Sequence, residues 1–196
     1  MYIDGLEMTE SRLDQLFGRR VRTETPKALN PAYLQRKWLE VLPAACRLAV
    51  QSSQILPYSY RNFRVGSAMF CYCSRTGEFD IVTGGNFKLC QGCDKFCAEM
   101  CAKAAVLPRF DRIVGIAIYG EQIQPDPSGL KPDTLHPCPP CRVDLEEDPR
   151  VARWTRMFMF RPWTDSDPLN TGRYKYFREH MSFRQLIRKH ANGHES

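Results

Sequence analysis

The sequence lacks any long apolar stretch. Its 196 residues hold no run approaching the roughly 20 apolar residues that a membrane-spanning helix requires. The first residues, MYIDG, also lack the basic start and apolar core of a secretion signal. We therefore expect a cytoplasmic protein without membrane contact. The length suits one domain with a sizeable core better than two domains.

Neither sign of charge is in excess until the last quarter of the chain. Residues 150–196 carry ten Lys or Arg against four Asp or Glu, which accounts for the whole formal charge of +6. Such a region can face an anionic ligand or nucleic acid. Scattered basic residues more often form a solvated surface, so nucleic-acid binding is not the function that we expect.

The nine cysteines are clustered, since eight of them lie between Cys71 and Cys141. An odd number of cysteines without a secretion signal is typical of reduced thiols rather than of a disulfide framework. Thiols grouped at short spacing in a reducing compartment indicate metal binding. The cysteine pattern therefore directs attention to metal-ligating motifs.

Apolar periodicity divides the chain from Asn30 onward into helices and strands. Pro43 lies inside the first helical pattern and predicts a kink or a break there. In chain order the sequence predicts a helix from Pro31 to before Pro57, strands over Val65–Tyr72 and Phe79–Val82, a helix over Cys97–Leu107, a strand over Ile113–Tyr119, a helix over Pro139–Leu145, a strand over Arg156–Phe160 and a helix over Ser182–His190.

This order of elements predicts an α/β domain in residues 31–196, with helices packed around one central sheet. The hairpin formed by the first two strands makes the sheet mixed rather than wholly parallel. Residues 1–30 are interpreted as a peripheral N-terminal extension.

Two short motifs, CAE (residues 97–99) and PCPPCR (residues 137–142), combine potential metal ligands with an acidic residue. Thiolates are preferred zinc ligands, and helix N-termini favour the thiolate form. Ligation by Cys97, Cys138 and Cys141 would leave one tetrahedral position for water. An open position distinguishes a catalytic zinc ion from a structural one.

Glu99 follows the first of these cysteines by two residues. From there its carboxylate can lie beside the open position without binding the metal. It can take a proton from water and pass it to a ring nitrogen and then to a leaving amine. A Cys or His, a Glu two residues later and a Pro-Cys-x-x-Cys segment together form the pattern of zinc deaminases.

On these motifs the sequence resembles the cytidine deaminases that act on free nucleosides, with relatives such as blasticidin S deaminase. The resemblance extends from about Leu34 to the C-terminus. It also rests on PYS (57–59), on FRVG (63–66) and on Asn86, which lies eleven residues before Cys97 as in the small homotetrameric branch. Cysteine rather than histidine as the first ligand is typical of the members that act on nucleosides.

The resemblance implies a three-layer cytidine deaminase-like fold, a zinc cofactor, a homotetramer and a place in pyrimidine salvage. It also implies residue roles: zinc ligation by Cys97, Cys138 and Cys141, proton transfer by Glu99, and substrate binding by Phe63, Asn86, Lys88 and Ala98. Arg142 would lie against a ligating sulfur, where its guanidinium moderates the net negative charge of three thiolates around one zinc ion.

Two positions depart from the family pattern. Lys88 stands where the family has a sugar-binding Glu, and Met100 stands where it has an Arg. The ammonium of Lys88 favours a phosphate or carboxylate on the substrate. Alternatively, its long side chain points to solvent. We therefore expect an aminohydrolase for a free cytosine nucleoside (cytidine or deoxycytidine) or a close analogue, with a modified nucleoside or a nucleotide as the alternative.

A second Cys-x-x-Cys pair, Cys90 and Cys93, lies just before Cys97. Together with Cys138 and Cys141 it would suit a structural four-thiolate zinc site in a non-catalytic module. Glu99 favours catalysis, because a structural site needs no such acid.

Histidines are given no side-chain role in this interpretation. His180, His190 and His194 are expected at the surface. At His136 the resemblance concerns only the backbone, since family members present a carbonyl there to the leaving amine.

Overall fold

The computed structural model describes residues 30–54, 63–88, 95–122, 136–162 and 176–191. The predicted N-terminal extension lies outside these ranges, except for Asn30, and stays a prediction. None of the helices in the described ranges is long and apolar enough to cross a membrane. The elements are α1 (Pro31–Gln54), β1 (Phe63–Tyr72), β2 (Phe79–Gly85), β3 (Phe87–Lys88), β4 (Lys95–Phe96), α2 (Ala98–Ala105), β5 (Arg112–Gln122), α3 (Pro139–Glu147), β6 (Val151–Pro162), β7 (Tyr176–Ser182) and α4 (Phe183–Ala191).

Helix α1 continues through Pro43 for 24 residues, so the break predicted there does not occur. Trp38, Val41 and Ala44 are buried on either side of the proline and hold the helix against the sheet. Their burial outweighs the cost of one missing helical hydrogen bond. The carbonyl left without that bond belongs to Leu39, whose side chain is exposed, so water can reach this face of the helix.

The central sheet has five strands in the order β2-β1-β5-β6-β7. Strand β1 runs antiparallel to both β2 and β5, and β7 runs antiparallel to β6. Strands β5 and β6 are parallel because helix α3 provides the crossover between them. The predicted mixed sheet is confirmed.

The sheet separates two apolar clusters. On one face Ala68, Phe70 and Tyr72 of β1 pack with α1, whereas Met69 and Cys71 point to the other face, which α2, α3 and α4 cover. This alternation follows from the two-residue repeat of a strand. The fold therefore has three layers, with α1 alone on one side, and the predicted α/β class is confirmed.

Strand β7 was not predicted. Its centre, Arg178-Glu179-His180, is charged or polar and carries no apolar alternation. Strands at the edge of a sheet tolerate such residues because one side faces solvent. The sequence signal for a strand was therefore absent, although β7 pairs with β6 from Arg156 to Pro162.

Candidate metal centre and active site

The predicted metal ligands lie together at the start of two helices. Cys97 and Cys138 are the N-cap residues of α2 and α3, and Cys141 lies in the first turn of α3. The three Sγ atoms all lie within 4.8 Å of one another, and those of Cys97 and Cys138 are 3.5 Å apart. The two helices thus bring three thiols to one point.

Local backbone structure explains why both helices begin at a cysteine. Cys97 and Cys138 have extended conformations, with φ and ψ of −78° and 147° for the former and −60° and 159° for the latter. Pro139 and Pro140 fill the first positions of α3, where a missing amide donor costs nothing and the fixed φ suits the helix. The dipole of each helix gives the sulfurs at its N-terminus a partly positive surrounding.

The thiols perturb one another. The hydrogen bond with Cys138, followed by burial and the nearby Glu99 charge, raises the pKa of Cys97 to about 11. The pKa of Cys141 is also raised, first by its hydrogen bond with Cys138 and then by that with Cys97. Three thiolates so close together require a cation to offset their repulsion. The charge balance of this group therefore fits a divalent metal ion.

The donor set fits zinc in particular. Thiolates bind zinc at about 2.3 Å in a tetrahedron, which places neighbouring sulfurs about 3.8 Å apart. The Cys97 to Cys138 separation of 3.5 Å is close to that value, and all three Sγ atoms lie within 4.8 Å. Cys97, Cys138 and Cys141 would need only small side-chain adjustments to hold the ion.

Glu99 lies in the first turn of α2, two residues after Cys97, and is 6% exposed. After hydrogen bonding and burial, its charge is among the causes that raise the pKa values of Cys97, Cys101 and Cys141. Ala98, between the ligand and the acid, is completely buried. An acid in this position can exchange protons with a small molecule at the metal centre.

A short hairpin connects Asn86 to Cys97. Strands β3 and β4 pair Phe87 with Phe96, and the two rings stack with their centroids 4.8 Å apart. Continuing this antiparallel register by one residue places Asn86 opposite Cys97. The spacing of eleven residues seen in the sequence is therefore the length of this hairpin, whose residues 89–94 lie outside the described ranges.

The Asn86 amide is bound to strand β1. Its Oδ1 accepts a hydrogen bond from the Val65 amide at 2.7 Å, and its Nδ2 donates to the Phe63 carbonyl at 2.8 Å. Each end of the amide retains one further hydrogen-bonding site. The role of Asn86 in substrate binding stays a prediction, but the contacts show how the residue fixes the start of β1 next to the metal centre.

Two other predicted substrate residues lie at the start of β1 and in the β3–β4 hairpin. Phe63 is half-buried at the start of β1 and packs against the core on the side of α2. The backbone of Lys88 pairs with Lys95 in the hairpin, whereas its side chain lies outside the described part of the chain. The prediction that Lys88 contacts a substrate stays a prediction.

Arg142 extends back along the first turn of α3. Its Nη1 donates to the Pro137 carbonyl at 3.0 Å, so the guanidinium lies at the peptide that leads into Cys138. This contact keeps a positive charge at the peptide bond before Cys138. The more specific prediction, that it lies against a ligating sulfur, is not tested by this contact.

The sequence analysis missed one group of side chains near the metal centre. His136 contacts Glu179 and His190, and its side chain is 4% exposed. His190, which was expected at the surface, is half-buried, and its ring meets that of the buried His136. The one available signal was that His136 precedes Cys138 by two residues.

Three solved structures similar to this chain are cytidine deaminases. That from Burkholderia pseudomallei is 20% identical and has a TM-score of 0.45, with 74% of this chain and 94% of that chain covered. That from Mycobacterium leprae is 23% identical, with a TM-score of 0.41 and coverage of 76% and 96%. That from Mycobacterium tuberculosis is 18% identical, with a TM-score of 0.43 and coverage of 74% and 93%. No protein-family model and no curated protein matches the sequence. The chemistry proposed for this chain therefore comes from its own residues.

Proposed function

We propose that this chain is a zinc-dependent aminohydrolase that deaminates a free cytosine nucleoside, cytidine or deoxycytidine, or a close analogue. The observation that carries the proposal is the placement of Glu99. This buried carboxyl group lies two residues after Cys97, beside a group of three thiols at two helix N-termini. A purely structural zinc site gains nothing from an acid in that place.

The zinc ion would be held by Cys97, Cys138 and Cys141, and it would supply a Lewis acid with one position open to solvent. The Glu99 carboxylate takes a proton from the attacking water and delivers it to the ring nitrogen next to the carbon that bears the amino group. It then transfers the second proton of that water to the departing amine. A carbon–oxygen bond replaces the carbon–nitrogen bond, and ammonia leaves.

The remaining predicted residues would bind the substrate. Phe63 would contact the base, the Ala98 backbone would bond to it, and Asn86 would use its remaining hydrogen-bonding sites for the sugar. Arg142 would moderate the charge of the thiolates. Lys88, in place of a sugar-binding carboxylate, supports the second candidate, which is a modified nucleoside or a nucleotide bearing an anionic group. A cytoplasmic homotetramer acting in pyrimidine salvage belongs to the same proposal.

The test is a measurement of ammonia release by the zinc-loaded chain with cytidine, deoxycytidine, cytidine monophosphate and a cytosine nucleoside antibiotic. At least one cytosine nucleoside should be hydrolysed. Faster hydrolysis of the monophosphate would favour the nucleotide candidate. Ammonia release from none of these compounds would contradict the proposal.

Glu99→Gln is the decisive variant. Loss of the proton carrier should lower turnover by about 10²- to 10⁴-fold, while zinc content stays at the wild-type level. Glu78→Gln is a matched control, because Glu78 is exposed and its carboxylate forms a long ion pair of 3.7 Å with the exposed Arg109. Full activity of the Glu99→Gln variant would remove the catalytic role assigned to this residue.

A further inference from the structure

A chain of hydrogen bonds joins the C-terminal elements of the fold to the segment that carries Cys138. Nε2 of His136 lies 2.8 Å from Oε2 of Glu179 on β7. Nδ1 of the same ring lies 3.0 Å from Nε2 of His190 on α4. Both ring nitrogens of His136 are therefore engaged by elements more than 40 residues further along the sequence.

The carboxylate of Glu179 is the acceptor at one end of this chain. The hydrogen bond with His136, assisted by Lys189 at 3.3 Å, lowers the pKa of Glu179 to about 2, so this group only accepts. Nε2 of His136 therefore donates to it. Nδ1 of His136 and Nε2 of His190 share the next hydrogen bond, so one connected chain runs from His190 through His136 to Glu179.

The backbone that follows His136 is also held by hydrogen bonds from helix α3. Arg142 donates from Nη1 to the Pro137 carbonyl at 3.0 Å, and the Arg142 amide donates to the Cys138 carbonyl at 2.9 Å. The backbone from His136 to Cys138 is thus fixed by helix α3 at one end and by β7 and α4 at the other. Its placement decides where the Cys138 thiol lies relative to Cys97.

We propose that Glu179 and His190 are positioning residues for the metal centre, which act through His136 on the backbone that presents Cys138. The inference rests on the zinc site of the proposed function. Apolar side chains of similar size would fill the space between β7, α4 and this segment without directional bonds. A chain of three hydrogen-bonded groups restricts the segment to one orientation, as hydrogen-bonded partners around metal ligands do in other sites.

The test compares His190→Leu with His190→Gln in the full-length, zinc-loaded chain. Leucine removes the hydrogen-bonding partner of His136, whereas glutamine retains a side-chain amide that can form this bond. Zinc release to an excess of chelator should be roughly tenfold faster in the Leu variant, the lower end of the effect known for groups that orient metal ligands. The Gln variant should return to within about twofold of wild type.

A spectroscopic measurement separates positioning from general stability. In the cobalt-substituted chain the thiolate-to-metal absorption band should shift in His190→Leu and return in His190→Gln. Arg188→Gln, at an exposed residue of the same helix, is the control and should leave both the band and the release rate unchanged. Glu179→Leu and Glu179→Gln form a second pair, with the Gln variant keeping an acceptor for His136, in case His190→Leu does not fold.

Wild-type release rates and spectra in both Leu variants would overturn the inference. Equal effects of Leu and Gln at His190 would overturn it too, because the hydrogen bond to His136 would then be irrelevant. If the wild-type chain binds neither zinc nor cobalt, the proposed function fails. The inference then fails as well, because it rests on that zinc site. Metal binding that is unaffected by His190→Leu leaves the proposed function intact and removes only the positioning role.

Discussion

Lys103 on α2 and Asp144 on α3 form an ion pair of 2.6 Å between the two helices that begin at cysteines of the candidate metal centre. Each residue lies six positions after the capping cysteine of its helix, 97 to 103 and 138 to 144. Nζ of Lys103 also lies 3.3 Å from the Asp144 carbonyl and 3.7 Å from Oδ2 of Asp148. The ion pair therefore fixes the distance between α2 and α3 at a point further along both helices than the cysteines.

Lys103→Met should weaken both the fold and the metal site. The change keeps an apolar stem but removes a cationic partner of Asp148, whose side chain is 4% exposed and also pairs with Arg150. We expect the free energy of unfolding to fall by about 1–2 kcal/mol, between the effects of exposed and buried ion pairs. Zinc release should also become several-fold faster. Urea unfolding and chelator competition measure the two effects.

Lys37→Met provides the control for this experiment. Lys37 pairs with Glu40 at 2.7 Å on the outer part of α1, where both side chains are more than a third exposed. Its loss should cost about 0.5 kcal/mol or less and leave zinc release unchanged. An equal effect of the two substitutions on zinc release would show that the Lys103 ion pair does not support the metal centre.

Gly84→Ala should displace the helix that carries Cys97 and Glu99. A Cβ atom at Gly84 would overlap the Ala102 amide nitrogen and approach the Ala98 carbonyl to 2.5 Å, both of them backbone atoms of α2. Because backbone cannot rotate away, α2 must move, and we expect a destabilisation of about 1–3 kcal/mol together with weaker zinc binding. Thermal unfolding and zinc titration test this result.

Gly115→Ala is the matched change on the opposite face of the sheet. A Cβ atom there would overlap the indole of Trp38, a fully buried residue of α1. The stability loss should be similar, about 1–3 kcal/mol. Zinc affinity should stay at the wild-type level, because α1 carries no metal ligand. If both variants lose zinc affinity, the cause is general destabilisation rather than the displacement of α2.

The pH dependence of stability should contain a contribution from Glu179. Its pKa is lowered from 4.5 to about 2, first by the hydrogen bond with His136 and also by Lys189. Between these two pKa values the unfolded chain binds more protons than the folded chain, so stability rises with pH there. The contribution is fully present above about pH 4.5 and is lost as the pH falls towards 2.

Glu179→Gln removes this contribution. Because about a quarter of the Glu179 side chain is open to water, we expect the variant to be less stable than wild type by about 1–2 kcal/mol at pH 6. The difference should shrink to near zero towards pH 2. Urea unfolding of both proteins at several pH values provides the measurement. A difference that is constant across this range would contradict the assigned pKa shift.

Much of the fold followed from local patterns. The helices at the two cysteine motifs and the strands β1, β2, β5 and β6 were predicted because strong apolar periodicity and prolines mark them. β7 could not be predicted, since Arg178, Glu179 and His180 carry no apolar alternation and depend on pairing with β6. The hairpin of β3 and β4 is too short to show a period, and it forms through the stacking of Phe87 on Phe96.

Only some of the contacts at the candidate site could be predicted from the sequence. The pairing of Cys138 with Cys141 followed from their ligand spacing, and Cys97 was grouped with them because the CAE and PCPPCR motifs together form the zinc deaminase pattern. Contacts between distant segments leave no such trace. Nothing in the sequence pairs Lys103 with Asp144, or His136 with His190, because these contacts depend on how the helices pack on the sheet.

The most direct test of the account is the ligand set of the bound zinc ion, measured by X-ray absorption at the zinc edge. The account predicts three sulfur atoms at about 2.3 Å and one lighter oxygen or nitrogen atom, with the same result in a Cys90→Ser, Cys93→Ser double variant. Four sulfur atoms in the wild-type chain, reduced in the double variant, would contradict it and indicate a structural four-thiolate site in its place.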